Sequence, residues 1–104
     1  MLEKALKAIE QVNLKDVRVF DLENKNPFYQ YVIVATQSSN RQGEALIGYM
    51  KEEMKHSFEI KGIEGQKTGW LLLDLGDVIV HVFTEEMRQY YLFDDRFIGI
   101  KEIK

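Results

Sequence analysis

Apolar residues recur over the first dozen positions at helical spacing. Leu2, Ala5, Leu6, Ile9 and Val12 alternate with Glu3, Lys4, Lys7 and Glu10, which predicts an amphipathic helix with one stripe to bury. Val17 to Leu22 then switches to the two-residue period of a strand, with Val17 and Val19 against Arg18, Phe20 and Leu22, and Asn24 to Pro27 form a turn cluster. Tyr31-Val32-Ile33-Val34-Ala35 is a continuous, mostly β-branched run, the pattern of a central strand covered on both faces and lying beside the first. Ser39-Asn40-Arg41-Gln42 has the S-x-x-Q capping-box spacing, and Ala45, Leu46, Tyr49, Met50 and Met54 follow at helical intervals, so a helix of about four turns is expected to run to near His56.

The second half reads as sheet. Phe58 to Ile63 is a weak strand closed by Glu64-Gly65; Trp70 to Asp74 and Val78 to Phe83 are strong ones, joined by a Gly76-Asp77 hairpin turn. Thr84 is placed to cap a short last helix, with Glu85 and Glu86 in its first turn and Met87, Tyr90 and Tyr91 as packing candidates. Phe97 to Ile103 reads as an extra strand or a loose end. The predicted fold is α/β, a mixed sheet of about five strands packed with helices, formed by residues 1–104 as one domain.

Composition narrows the function classes. At 104 residues and 45% hydrophobic content the chain supports one core, with no linker or repeat. No apolar run reaches the roughly 20 residues of a membrane span, and Met1-Leu2-Glu3-Lys4 lacks a signal peptide's apolar stretch, so a cytoplasmic protein is expected. The absence of cysteine removes disulfides, thiolate catalysis and Cys-ligated zinc. Fourteen Lys+Arg against seventeen Asp+Glu, a net charge of −3, disfavours primary readout of a nucleic-acid backbone and suits a basic partner.

One group of residues carries more weight than composition. Val32-Ile33-Val34-Ala35-Thr36, Ser39, Arg41-Gln42, Glu64-Gly65, Trp70, Asp74, Gly76-Asp77-Val78, Val80-His81-Val82-Phe83 and Arg88, in this order and spacing, resemble the ribosomal silencing factor family, also called the iojap family. The pattern W-x-L-x-D-x-G-D-x-x-V-H-x-F from Trp70 to Phe83 is its most specific stretch. The resemblance implies a nucleotidyltransferase-like fold and a homodimer in the free state. It also implies binding to a ribosomal protein on the joining face of the large ribosomal subunit, which sterically excludes the small subunit and represses translation. The chain departs from the family at Gln37, where a glycine is common, and at Leu92-Phe93-Asp94-Asp95-Arg96-Phe97, where a Leu-Glu-x-Leu-Trp-like segment is usual.

Enzymatic alternatives find little chemistry. Nucleotidyl transfer needs paired carboxylates on alternate strand residues and a Gly-Ser phosphate loop. Asp74 and Asp77 are separated by a turn, and no Gly-Ser pair precedes the long helix. His81 reads as a hydrogen-bonded histidine on the sheet face, as against a general base or ligand, and His56 as a helix-end cation. Thr36 to Arg41 leads into a helix amino terminus able to receive an anion, or else capped by Ser39. The alternative function is therefore a nucleotide-binding or nucleotidyltransferase-like enzyme using that loop; a dimeric adaptor with another partner is a third. Trp70 shares a strand face with Leu72 and Asp74, opposite Leu71 and Leu73, so the mixed face is expected to be surface and the other core. With the resemblance, Trp70, Leu72, Asp74, His81, Arg88, Tyr91 and Leu92 are the expected partner-binding residues, with no catalytic residue, metal or cofactor.

Overall fold

The computed structural model describes residues Met1 to Lys104. The elements run α1 (Leu2–Gln11), β1 (Lys15–Asp21), β2 (Tyr31–Gln37), α2 (Asn40–Met54), β3 (Gly62–Glu64), β4 (Trp70–Asp74), β5 (Val78–Thr84) and α3 (Glu85–Tyr91), followed by a 3-10 turn (Phe93–Phe97) and β6 (Lys101–Glu102). They build a mixed six-stranded sheet in the order β3-β4-β5-β2-β1-β6, in which only β2 and β5 are parallel. The β-branched run is central, as its composition predicts. The sixth strand comes from the tail: Lys101 and Glu102 pair with Asp21 and Phe20, and backbone bonds between Val19 and Ile103 and Lys104 extend the contact. The weak Phe58–Ile63 prediction shrinks to Gly62–Glu64, and α2 stops at Met54.

Strand alternation gives the sheet two apolar faces. On one, Ala5, Ala8 and Ile9 of α1 and Leu46, Met50 and Met54 of α2 pack on Val19, Ile33, Leu71, Leu73 and Val80, all buried. Each large aliphatic side chain removed from water there contributes roughly 1.5–3 kcal/mol. On the other, Phe20, Val32, Val34, Ile79 and Phe83 surround Phe93, with Leu22, Tyr29, Trp70, Leu72, Met87, Phe97 and Ile100 half-buried at the margins. The Trp70–Leu72–Asp74 face, expected to be surface, is thus a second core. The cover that makes it so is the C-terminal segment, whose Phe97 stacks on Phe20 with ring centroids 4.6 Å apart.

The helix ends differ from their predicted caps in one case. Thr84 does cap α3, its hydroxyl accepting from the Met87 N–H at 3.3 Å. Ser39 sits at the N-cap of α2 but its hydroxyl makes no cap bond. Gln42 does that work differently: its side-chain oxygen accepts from the Ser38 N–H, and its Nε2 donates to the Val12 carbonyl at 2.8 Å, tying the end of α1 to the start of α2. Gln37 ends β2 without positive φ, so replacing the family's glycine asks no unusual backbone of it.

Two glycines are fixed by backbone geometry. The β4–β5 hairpin closes through Leu75 N–H to the Val78 carbonyl, with Gly76 at φ +102° as the first turn residue. Gly65, at φ +73°, lies so close to the Trp70 carbonyl oxygen that a Cβ would collide with it. Gly65→Ala is expected to lower unfolding stability in urea by about 3 kcal/mol. Gly48→Ala, on the exposed side of α2 with open space around the added carbon, is expected to raise it by about 0.5–1 kcal/mol.

Candidate partner-binding site

Cross-strand register creates the site. On the second face of the sheet, Trp70 of β4 lies opposite Phe83 of β5, and Leu72 lies opposite His81, which in turn aligns with Val34 of β2. The Trp70 indole Nε1–H donates to His81 Nδ1 at 3.1 Å. Because Nδ1 accepts, the neutral ring carries its proton on Nε2. His81 is 8% exposed, and burial, helped by the positive charge of Arg96, lowers its pKa from 6.5 to about 4. The ring therefore stays a neutral acceptor at neutral pH and fixes the orientation of the indole above it. Trp70 is packed further by Phe83 at 4.7 Å, Tyr91 at 5.2 Å and Phe93 at 5.7 Å between centroids.

The aromatic cluster continues outward along α3. Tyr91, 43% exposed, meets Tyr90, 77% exposed, edge to face at 5.0 Å, and Leu92 follows at 61% exposure. Leu92 occupies the left-handed region (φ +48°, ψ +43°), and its N–H satisfies carbonyls of the last helical turn. A glycine normally holds that position, since a Cβ there costs roughly 1–2 kcal/mol. Tyr90 and Tyr91, predicted to pack, are exposed instead; a helix of seven residues turns little of its surface inward, and Met87 alone of the three is half-buried against the sheet.

Arg88 lies beneath this surface and is committed to the fold. Its Nε and Nη2 donate to the two oxygens of Asp94 at 2.8 and 2.7 Å, while Nη1 donates to Thr36 Oγ1 at 2.8 Å and the Asp16 carbonyl at 2.9 Å. Asp94 also accepts from Arg18 at 2.8 Å, and Arg18 grips Glu102 of β6 through two more bonds. Arg88 and then Arg18 hold the Asp94 carboxyl below its usual range. Next to this network a cleft lined by Asp16, Glu85, Leu92, Asp95 and Glu102 runs between β1 and α3.

Of the expected partner-binding residues, the structure gathers Trp70, Leu72, His81 and Tyr91 in one cluster, while Leu92 lines the neighbouring cleft with Asp16, Arg18 and Arg88. Asp74 lies about 13 Å along β4 from Trp70. Its carboxylate accepts from the Tyr29 hydroxyl at 3.2 Å and from the Gly76 N–H at 3.0 Å, so it organises the hairpin. Phe93, Asp94 and Arg96 belong to the site and were not anticipated. The signal available for them was Arg88 itself, a helix cation that needs an acid within reach of the following turn. The loop before α2, the site of the enzymatic alternative, has its Ser38 N–H taken by Gln42, and Asp77 has its carbonyl bonded to the Gln30 and Tyr31 N–H groups.

A family model described as "Ribosomal silencing factor during starvation" matches residues 1–97. The chain belongs to the ribosomal silencing factor family. It is 39% identical over 89 residues to a ribosomal silencing factor of Chromobacterium violaceum, covering 84% of this chain and 73% of that protein. It is 30% identical over 93 residues to one of Bacillus subtilis, covering 88% and 79%. A crystal structure of a protein from C. violaceum superposes with a TM-score of 0.85 at 35% identity, covering 96% of this chain and 85% of the other. In the divergent C-terminal segment Phe93 is buried in the second core, Asp94 is held by Arg88 and Phe97 stacks on Phe20.

The His81 geometry sets a pH dependence of stability. The unfolded chain takes up a proton near pH 6.5 and the folded one near pH 4, so stability is complete above about 6.5 and falls as pH drops towards 4, by about 3 kcal/mol. Asp94, with a lowered pKa, adds a further loss at still lower pH. In urea titrations across this range, His81→Gln, which keeps an acceptor for the indole and does not titrate, is expected to flatten the limb between pH 6.5 and 4.

Proposed function

We propose that this protein is a translational repressor that binds the large ribosomal subunit through a basic ribosomal protein on its joining face and sterically blocks association with the small subunit. It acts by binding, in the cytoplasm, without catalysis, metal or cofactor, and is a homodimer when free. The observation that carries this reading is the continuous aromatic surface from Trp70 through Tyr91 to Tyr90, with Leu92 exposed at the end of the same helix. Tryptophan and tyrosine combine large apolar area with a polar handle and dominate interaction hot spots. Glu85 and Glu86 of α3 and Asp95 of the turn after it are exposed and make no ion pairs, which favours a basic partner. Relatives that bear the name ribosomal silencing factor support the ribosome as the target.

Occlusion requires a rigid surface, and here the rigidity has a source. Trp70 is held from below by His81 and from the side by Phe93, so little side-chain freedom remains to be lost on docking. Purified protein mixed with separated ribosomal subunits is expected to sediment with the large subunit and to reduce the yield of joined ribosomes. Failure of folded protein to bind either subunit would overturn the assignment.

Two substitutions test the anchor. Trp70→Ala is expected to weaken large-subunit binding by about 2 kcal/mol or more, some 30-fold, through loss of a hot-spot anchor, and to lower unfolding stability as well, because the indole packs on Phe83 and Phe93 and donates to His81. Leu92→Gly is expected to move two quantities in opposite directions. Relief of the left-handed backbone raises unfolding stability by about 1 kcal/mol, while removal of an exposed apolar contact weakens subunit binding. Equal binding by Leu92→Gly and the natural chain would exclude Leu92 from the contact surface.

A further inference from the structure

Resting on the ribosome-binding reading, we infer that Arg96 is a specificity residue of the docking face that pairs with a carboxylate of the ribosomal protein. Arg96 is exposed, and its guanidinium carbon lies 4.9 Å from the centroid of the buried Phe93 ring. That ring is 4.5 Å from His81 and 5.7 Å from Trp70, so the cation borders the aromatic cluster. Its charge is felt at His81, which it helps keep neutral.

Arg96 differs from the other two arginines of this face. Arg18 and Arg88 direct their guanidinium groups at Asp94 and Glu102, whereas Arg96 makes no ion pair and donates no side-chain hydrogen bond. A planar fork of N–H donors set on an aromatic ring and lacking an acceptor of its own is pre-organised for a carboxylate or a phosphate. The surroundings choose between them. Glu85, Glu86 and Asp95 lie on the same short helix and the turn after it, and a polyanionic backbone laid along this tip would meet all three. A single carboxylate on a predominantly basic protein meets Arg96 alone and leaves those acids for the protein's cations. The partner is thereby specified as a basic surface that carries one acid beside an apolar contact for Trp70.

Binding of Arg96→Met, Arg96→Glu and Trp70→Ala to isolated large subunits, alongside the natural chain, tests the inference. Arg96→Met keeps the apolar cover over Phe93, so its unfolding midpoint is expected to be unchanged while affinity falls about tenfold; Arg96→Glu is expected to bind more weakly still. In an Arg96→Lys variant, carbodiimide coupling on the subunit, mapped by mass spectrometry, is expected to join position 96 to an aspartate or glutamate of a ribosomal protein. If Arg96→Met and Arg96→Glu bind as tightly as the natural chain while Trp70→Ala does not, the role of Arg96 is overturned and the ribosome reading stands. Coupling to no protein carboxylate also overturns it. Absence of binding by the natural chain overturns both.

Discussion

Three guanidinium hydrogen bonds converge on the Asp94 carboxylate, two from Arg88 and one from Arg18, and through them the end of the chain is held on the sheet. The sheet exposes two apolar faces, and the helices α1 and α2 cover one. The other has only a seven-residue helix, a 3-10 turn and a two-residue strand to close it. Such short elements have little intrinsic stability and depend on tertiary contacts. Asp94 supplies the fixed point. Arg88 joins it to β2 through Thr36, Arg18 joins it to β1 and to Glu102 of β6, and Phe93 and Phe97 on either side are thereby seated in the core. Removing Asp94 would leave the largely buried Arg88 guanidinium without a carboxylate partner, the costliest single loss in this network.

The same arrangement builds the proposed docking surface from the interior outward. Val34, Phe83 and Phe93 surround His81; His81 accepts from Trp70; Trp70 contacts Tyr91; and Tyr91 contacts Tyr90. Each ring limits the orientation of the next. A histidine is apt for the central place because it is flat enough to stack and, kept neutral by burial, offers an acceptor to an indole that would otherwise be buried without one. A phenylalanine in that position would stack without accepting, and a lysine would not remain uncharged without a cost in stability.

The elements with strong period were legible in the sequence, and the reason is local. The β-branched run of β2, the alternation of β4 and β5, the Gly76-Asp77 turn and the Thr84 cap each rest on a few adjacent residues. What the sequence did not disclose depended on distant partners. Trp70 and Leu72 read as surface because covering them requires Phe93, more than twenty positions on, to fold back over β5. Gln42 was recognised as a capping residue, yet its carboxamide reaches across to Val12, a contact with no local signature. Arg88 looked like a partner-facing cation because Asp94 and Thr36 approach it only when α3 lies on the sheet. Trp70 and Tyr91, grouped by resemblance, meet in the structure, whereas Asp74 shares the strand face of Trp70 but serves the hairpin.

Three positions where this chain tolerates unfavourable local physics fall within seven residues of one another, from Tyr90 to Arg96. Leu92 adopts a backbone that favours glycine and leaves most of its side chain in water, Tyr90 is largely exposed next to it, and Arg96 has a guanidinium with no acceptor within the chain. Taken singly, each is an ordinary surface imperfection. Together they border the one rigid aromatic cluster on the sheet, and they sit on a segment whose attachment is over-determined by Asp94, Phe93, Phe97 and β6. Strain and exposed apolar area persist where surrounding structure fixes them, and they gain a physical rationale when an opposing surface removes both penalties. A partner that covers Leu92 and Tyr90 recovers apolar burial, and one that presents an acceptor to Arg96 recovers its hydrogen bonds. The strength of the internal clamp and the incompleteness of the surface above it therefore fall on the same segment, as the proposed docking role requires: a surface that offers apolar area and an unpaired guanidinium to a partner has to be held in place by the chain itself.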